Sequence, residues 1–199
     1  MVFAVPQRIL LICLLYFCIC AVGETVDPKT LMSIVNNFEN WLGNTGQYAV
    51  AFRVEKDKCL EGSDYPSKEL LTKVKEKLQR NEVYVSDDLI AAKPNGVEHS
   101  EFRLKKDLDT ILKVKDKCVG FFTVNSPCLK TCLADGPYSV KDSLVQLQKY
   151  MGIKAFAFKK IWEHDKKADV KNRLKEIARD LPYYLCERNK AKCDLLKLE

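Results

Sequence analysis

His99-Ser100-Glu101 and Ser126-Pro127-Cys128-Leu129-Lys130-Thr131-Cys132 are the two short runs on which the reading of this chain turns. The 25 residues from Phe102 to Ser126 that lie between Glu101 and Pro127 carry one helical pattern and one apolar run of strand length. One imidazole and two thiolates can hold Zn²⁺ and leave its fourth tetrahedral position to water, as catalytic zinc sites do. A carboxylate two residues from the imidazole is placed to move that water's proton. Either cluster alone is a weak sign, since His-x-Glu recurs by chance and Cys-x-x-x-Cys in an oxidising compartment reads equally well as a disulfide. Their joint occurrence predicts His99, Cys128 and Cys132 as metal ligands and Glu101 as the catalytic acid and base. A Cys128–Cys132 disulfide is disfavoured, because an i, i+4 bridge within a helix strains the bond geometry. A structural zinc needs a fourth protein ligand. The remaining candidate, His164, sits among Glu163, Asp165, Lys166 and Lys167 and reads as exposed.

Outward from these clusters the local patterns alternate between helix and strand. Asp27-Pro28 is a helix start, a capping side chain followed by a ring that needs no N–H donor. Leu31, Ile34, Val35, Phe38, Trp41 and Leu42 then recur at helical spacing until Gly43-Asn44-Thr45-Gly46. Tyr48 to Val54 reads as a core strand. Lys58 to Arg80 is a charged insertion in which Ser67 caps a helix carrying Leu70, Leu71, Val74 and Leu78. Glu82 to Ile90 reads as a second strand, and Lys93-Pro94-Asn95-Gly96 turns into the His-Ser-Glu cluster. Phe102, Leu104, Leu108, Ile111, Leu112 and Val114 predict a helix ending near Lys117, before the strand Cys118 to Val124. Ser126-Pro127 predicts another helix, interrupted at Ala134 to Pro137 and resumed from Ser139 to Tyr150. The strand Ile153 to Phe158 and the helix Ala168 to Leu181 follow, and Tyr183-Tyr184-Leu185 is either a short edge strand or a packed tail. This order is an α/β layer arrangement, and neither an internal repeat nor a low-complexity stretch interrupts it.

The positions of the clusters in this order carry the chemistry. A strand feeding a helix places that helix's first turn at the sheet's carboxyl edge, where α/β proteins bind ligands. The pattern occurs twice, with His99 and Glu101 at one helix start and Cys128 and Cys132 at the next. Parallel neighbouring strands would bring the two starts together, and the positive helix ends would help keep the thiolates deprotonated.

With 199 residues, 47% of them hydrophobic and 30% charged, the chain has the composition of one globular domain with one sizeable core. Met1 to Gly23 has the form of a signal peptide: Arg8 is its early charge, Ile9 to Cys20 its short apolar run, and Ala21-Val22-Gly23 its cleavage site. That run falls short of the roughly 20 residues of a membrane span. The expected mature domain is therefore 24–199, secreted and extracellular, with no stable membrane association. Losing the leader removes Arg8 and no acidic residue, so 32 basic residues face 27 acidic ones. Lysines interleaved with acids lend a polyanionic partner only modest support. Six of the nine cysteines remain, and an even count in an oxidising compartment suggests disulfides. With Cys128 and Cys132 on metal, Cys186 and Cys193 close a short polar loop and pair. Cys59 and Cys118 meet if their strands lie antiparallel side by side.

His99-Ser100-Glu101 followed by Ser126-Pro127-Cys128 and Cys132 resembles the cytidine deaminase superfamily, whose signature is His-x-Glu and Pro-Cys-x-x-Cys. Within it, the chain is similar to the AID/APOBEC-like branch, in which two to four residues separate the cysteines. Together with the leader, it looks like the secreted novel AID/APOBEC-like deaminases. The resemblance in element order covers roughly Leu31 to Leu181. It implies a three-layer α/β/α sandwich around a mixed sheet of about five strands, in the order 2-1-3-4-5 with the first strand antiparallel, which lets Cys59 reach Cys118. It also implies Zn²⁺ as cofactor. For substrate binding it implies the backbone N–H of Ser100 and the carbonyl of Ser126. Trp162 is a stacking candidate for a neighbouring base or else a cap on the core, and Asn95 lines the pocket or only serves its turn. Val124-Asn125-Ser126-Pro127-Cys128 departs from the branch's Ser-Trp-Ser-Pro-Cys.

The expected function is zinc-dependent hydrolytic deamination of cytosine in a nucleoside or in single-stranded nucleic acid, with adenine as a second possible base. A rival from another class is a secreted protein that keeps the deaminase scaffold and zinc and binds nucleic acid without turnover.

Overall fold

The computed structural model describes residues 25–62 and 64–198; the leader expected over residues 1–23 lies outside the described residues. The Asp27 carboxylate accepts from the N–H groups of Lys29 (3.1 Å) and Thr30 (2.8 Å), and α1 (Pro28–Leu42) follows. Gly46, at φ 83°, adopts the left-handed backbone that lets the chain leave this helix for the sheet. A short 3-10 helix (Gly43–Thr45) precedes β1 (Ala49–Val54), and the next α-helices and strands are α2 (Asp57–Leu60), α3 (Lys68–Gln79), β2 (Tyr84–Val85), β3 (Leu89–Ala92), α4 (Ser100–Arg103) and α5 (Leu108–Leu112). After these come β4 (Cys118–Asn125), α6 (Lys141–Lys149), β5 (Ile153–Lys160), α7 (Lys167–Ala178), β6 (Tyr183–Leu185) and β7 (Asp194–Leu195).

The strands form one mixed sheet of seven, in the order β2-β3-β1-β4-β5-β6-β7. β1 is antiparallel to both β3 and β4, whereas β4, β5 and β6 run parallel. The five central strands follow the expected 2-1-3-4-5 order. Two more are present, one at each edge, and the first arises because the run Glu82 to Ile90 is not one strand. Ser86 takes a turn there, its N–H and hydroxyl both bonded to the Leu89 carbonyl, so β2 folds back on β3. At the other edge the Cys186–Cys193 disulfide folds the tail back, and β7 pairs antiparallel with β6.

Alternation along the strands divides the core into two layers. Val50 and Phe52 face α1 and α3, while Ala49 and Ala51 face the side covered by α5, α6 and α7. The antiparallel pairing of β1 and β4 sets Val54 opposite Cys118, and the Cys59–Cys118 disulfide forms beside it. In the same ladder Phe52 lies opposite Gly120, and a Cβ built there would run into the Phe52 ring. Gly120→Ala is therefore expected to cost about 1–3 kcal/mol of stability. In urea unfolding this appears as a lower midpoint with an unchanged slope.

Two expected helices differ from prediction near the edge that carries the candidate site. The pattern from Phe102 to Lys117 breaks into α4 and α5. Lys105 and Asp107 donate back three residues, to Phe102 (3.0 Å) and Leu104 (3.1 Å), which tightens the chain and changes its axis. Arg53 of β1 then bonds the carbonyls of Thr110 (3.0 Å) and Ile111 (3.2 Å) and ends α5, a tertiary cap that periodicity cannot anticipate. From Ser126 to Val140 the chain runs through turns, and helix resumes only at Lys141. The Cys132 N–H lies 3.5 Å from the Cys128 sulfur, and it is Leu133 that donates to the Cys128 carbonyl, at 3.0 Å. That closure is one residue wider than a helical one, so no helix propagates from it.

Candidate active site

Both clusters reach one edge of the sheet, by a route that differs from the expected one. β3 and β4 point the same way but are not neighbours; β1 runs antiparallel between them. At the edge where β3 and β4 end, β1 begins, so Gln47, just ahead of β1, is placed between the two clusters. After β3, Pro94-Asn95-Gly96 turns the chain with Asn95 and Glu98 bonded backbone to backbone (2.9 and 3.1 Å) and Gly96 at φ 58°. His99 follows as the extended N-cap residue of α4, and Glu101 is buried in its first turn.

His99 Nδ1 stands 3.2 Å from Cys132 Sγ and 3.6 Å from Cys128 Sγ, and the three donor atoms lie within 4.8 Å of one another. Bond lengths of about 2.3 Å to sulfur and about 2.0–2.1 Å to nitrogen, at tetrahedral angles, require donor separations of about 3.5–3.8 Å. The 3.6 Å separation falls in that range and the 3.2 Å one a few tenths of an ångström below it, so the donor set fits a tetrahedral ion in chemistry and closely in size. Both thiols are free and buried, so the disulfide alternative is not taken. They lie on a turn and not, as expected, on one helix face. With the Cys132 thiol donating to it, the Cys128 thiol is pulled down to about 5, and the Cys132 thiol is pushed up. His164 is exposed and set edge-to-face on Trp162, outside the cluster of donors.

Glu101 is 3% exposed. Burial raises its pKa, against the pull of hydrogen bonds from its own backbone N–H and then from the Ser100 and Thr123 hydroxyls, and of His99 nearby. A cavity of about 240 Å³ opens beside it, lined by Gln47, His99, Glu101, Asn125, Cys128 and Trp162 among others. Of the residues expected to bind substrate, Ser126 and Trp162 line this cavity, joined by the backbone N–H of Trp162 donating to Ser126 Oγ at 3.0 Å. Ser100 is buried behind the wall with its hydroxyl on Glu101. Asn95 is exposed in its turn, and its neighbours Pro94 and Gly96 form that part of the wall.

Gln47, Thr123 and Asn125 were missed by reasoning from motifs. A signal for two of them exists. Val119 and Phe121 face the layer that holds Cys128 and Cys132, and period-two alternation puts Thr123 and Asn125 on the same face. Polar residues entering an apolar row mark the point where the core gives way to a site.

A mixed sheet with central order 2-1-3-4-5 between two helical layers, carrying His-x-Glu and Pro-Cys-x-x-x-Cys at one strand edge, defines a deaminase-like α/β protein. The family model described as Secreted Novel AID/APOBEC-like Deaminase 1 matches residues 28–195, and the chain belongs to that family. A comparison with curated proteins finds no match.

Proposed function

We propose that the chain is a secreted hydrolytic deaminase that uses Zn²⁺ to convert cytosine to uracil, in a free nucleoside or in an unpaired nucleotide of single-stranded nucleic acid. One juxtaposition carries this reading: His99 and Cys128, with Cys132 beside them, share a single cavity with the Glu101 carboxylate. His99, Cys128 and Cys132 would hold the ion. When bound, Zn²⁺ supplies Lewis acidity that brings the pKa of water to about 7 and so makes hydroxide available at neutral pH.

The protein's own residues do the rest. As water adds to C4 of the base, Glu101 accepts the released proton on a carboxylate oxygen and passes it to N3. It then carries a proton to the departing amino group, so that cytosine and water leave as uracil and ammonia. A carboxyl serves best as both acceptor and donor when its pKa lies near the working pH, and burial raises that of Glu101 in this direction. The Ser100 N–H and the Ser126 carbonyl would hold the base. Two bonds that fix Ser126 support this role: its N–H donates to the Lys160 carbonyl at 2.8 Å, and its hydroxyl accepts from the backbone N–H of Trp162. The base must be unpaired, because a duplex shields C4. The signal-like leader, the two disulfides and the family's description support secretion.

The test is a substrate screen on the zinc-loaded mature chain with cytidine, deoxycytidine, adenosine and cytosine-containing single-stranded oligonucleotides. Uracil formed by the wild type and not by Glu101→Ala supports the proposal. Equal rates in the two proteins on every substrate overturn it. Trp162, half-buried on the cavity wall, serves as a stacking platform for a flanking base. Trp162→Ala is then expected to raise KM for an oligonucleotide about 10-fold or more, as the loss of one base–aromatic stack does. KM for free cytidine should stay nearly unchanged, and steady-state kinetics on both substrates checks the difference.

A further inference from the structure

Glu101 is held by a chain of neutral side chains whose donors all point the same way. Its Oε2 accepts from the Ser100 hydroxyl (3.0 Å) and its Oε1 from the Thr123 hydroxyl (3.1 Å). Both hydroxyl oxygens accept in turn from Gln47 Nε2, at 3.1 Å for Thr123 and 3.5 Å for Ser100. Gln47 Oε1 accepts from Asn125 Nδ2 at 2.9 Å.

The direction of this chain follows from its end. Both carboxyl oxygens of Glu101 accept, so both hydroxyl protons are committed to Glu101. Only lone pairs then remain on the two hydroxyls, and Gln47 must meet them with its nitrogen and turn its oxygen to Asn125. Asn125 must in turn offer its nitrogen to Gln47. The far end agrees with this, because Asn125 Oδ1 is buried with no hydrogen-bond partner among the described residues, as the last acceptor of a one-way chain would be. The Thr123 hydroxyl also has a competing acceptor, the Tyr48 carbonyl at 3.5 Å. Holding that hydroxyl on Glu101 therefore needs a donor on its other side.

We propose that Gln47 is a positioning residue for proton transfer: its amide aims the Thr123 and Ser100 hydroxyl protons at Glu101 and so fixes how the carboxylate is presented to the cavity. This rests on the proposed role of Glu101 as proton carrier. Glutamate at position 47 keeps the shape of glutamine but has no N–H donor, so it competes for both hydroxyl protons. Leucine removes the donor and leaves only the Tyr48 carbonyl as a competitor. A chain that works by donor direction therefore ranks Gln47→Glu as more damaging than Gln47→Leu, whereas a role in shape alone ranks them the other way round.

Two measurements on zinc-loaded wild type, Gln47→Leu and Gln47→Glu test this. Kinetics should give a kcat loss of about 10-fold for Gln47→Leu and about 100-fold for Gln47→Glu, the range for hydrogen bonds to a charged group, with KM and zinc content nearly unchanged. In a crystal structure of Gln47→Glu, the contact from Thr123 Oγ1 to Glu101 Oε1 should open from 3.1 Å to beyond hydrogen-bonding distance. Retention of both hydroxyl contacts in that crystal, or a Gln47→Leu variant slower than Gln47→Glu, overturns the proposal. Where the wild type turns over, Glu101→Gln does not, and Gln47→Glu equals the wild type, the positioning role fails and the deaminase reading stands. Where the wild type deaminates nothing, the deaminase reading fails and the crystal structure alone decides the direction of the chain.

Discussion

Glu101→Gln is expected to lower kcat for cytosine deamination by about 10³-fold or more, toward the upper end of what one general acid–base group contributes. That loss corresponds to about 4 kcal/mol of barrier. The upper end is appropriate because one carboxyl is asked to take a proton from water, deliver it to N3 and then serve the departing amine. The substituted amide would fill the same volume and could not accept a proton. Its nitrogen would also face the Ser100 or Thr123 hydroxyl, each of which now donates to a Glu101 oxygen at 3.0 and 3.1 Å, so one hydroxyl must turn away. Glu101 is not one of the three donor atoms of the metal cluster, so zinc content should stay at the wild-type value. Uracil release and elemental analysis on the same preparations check both halves. A variant that keeps kcat within a few-fold of wild type removes Glu101 from the chemistry. If neither protein turns over and both bind single-stranded nucleic acid equally, the scaffold is a binding protein.

Cys132→Ala is expected to abolish both zinc binding and activity, and to lower the apparent stability of the zinc-loaded protein. Cys132 is fully buried, and its sulfur lies closest to His99 Nδ1, at 3.2 Å, so its loss leaves His99 and Cys128 as a two-donor site. A ligand present at about 1,000 times its Kd stabilises the folded state by about 4 kcal/mol, and this term disappears with the ion. Chelation of the wild type should reproduce most of the fall in melting temperature, whereas Cys132→Ala should not respond to chelator. Differential scanning calorimetry with and without a chelator separates the lost ion from the lost side chain. A wild type that neither contains metal nor shifts on chelation would count decisively against a metal centre.

The deciding motifs were legible because each is written within a few residues of chain. His-x-Glu at a helix start, Pro-Cys-x-x-x-Cys after an apolar strand, the Asp27-Pro28 cap and the loop between Cys186 and Cys193 are local patterns, and the structure places all four as such. Segments whose form depends on distant partners were not legible. The helix predicted from Phe102 to Lys117 ends early because Arg53 caps it across the fold. Glu82 to Ile90 folds into two strands because Ser86 can turn back on Leu89. Asn95, which the resemblance set either in the pocket or in its turn alone, is exposed in that turn, and Pro94 and Gly96 form the wall.

The sequence by itself determined the donor chemistry: one imidazole, two thiols and a flanking carboxyl, at a spacing that short-range backbone geometry turns into two compact clusters. It also determined the α/β class, since helical and strand periodicities alternate along the chain. Only the tertiary structure decided what surrounds Glu101. Strand order inserts β1 between β3 and β4, and that brings Gln47 against Thr123 and Asn125, which are 76 and 78 residues away in the chain. Such a polar network arises from long-range pairing across a sheet, which no local pattern encodes.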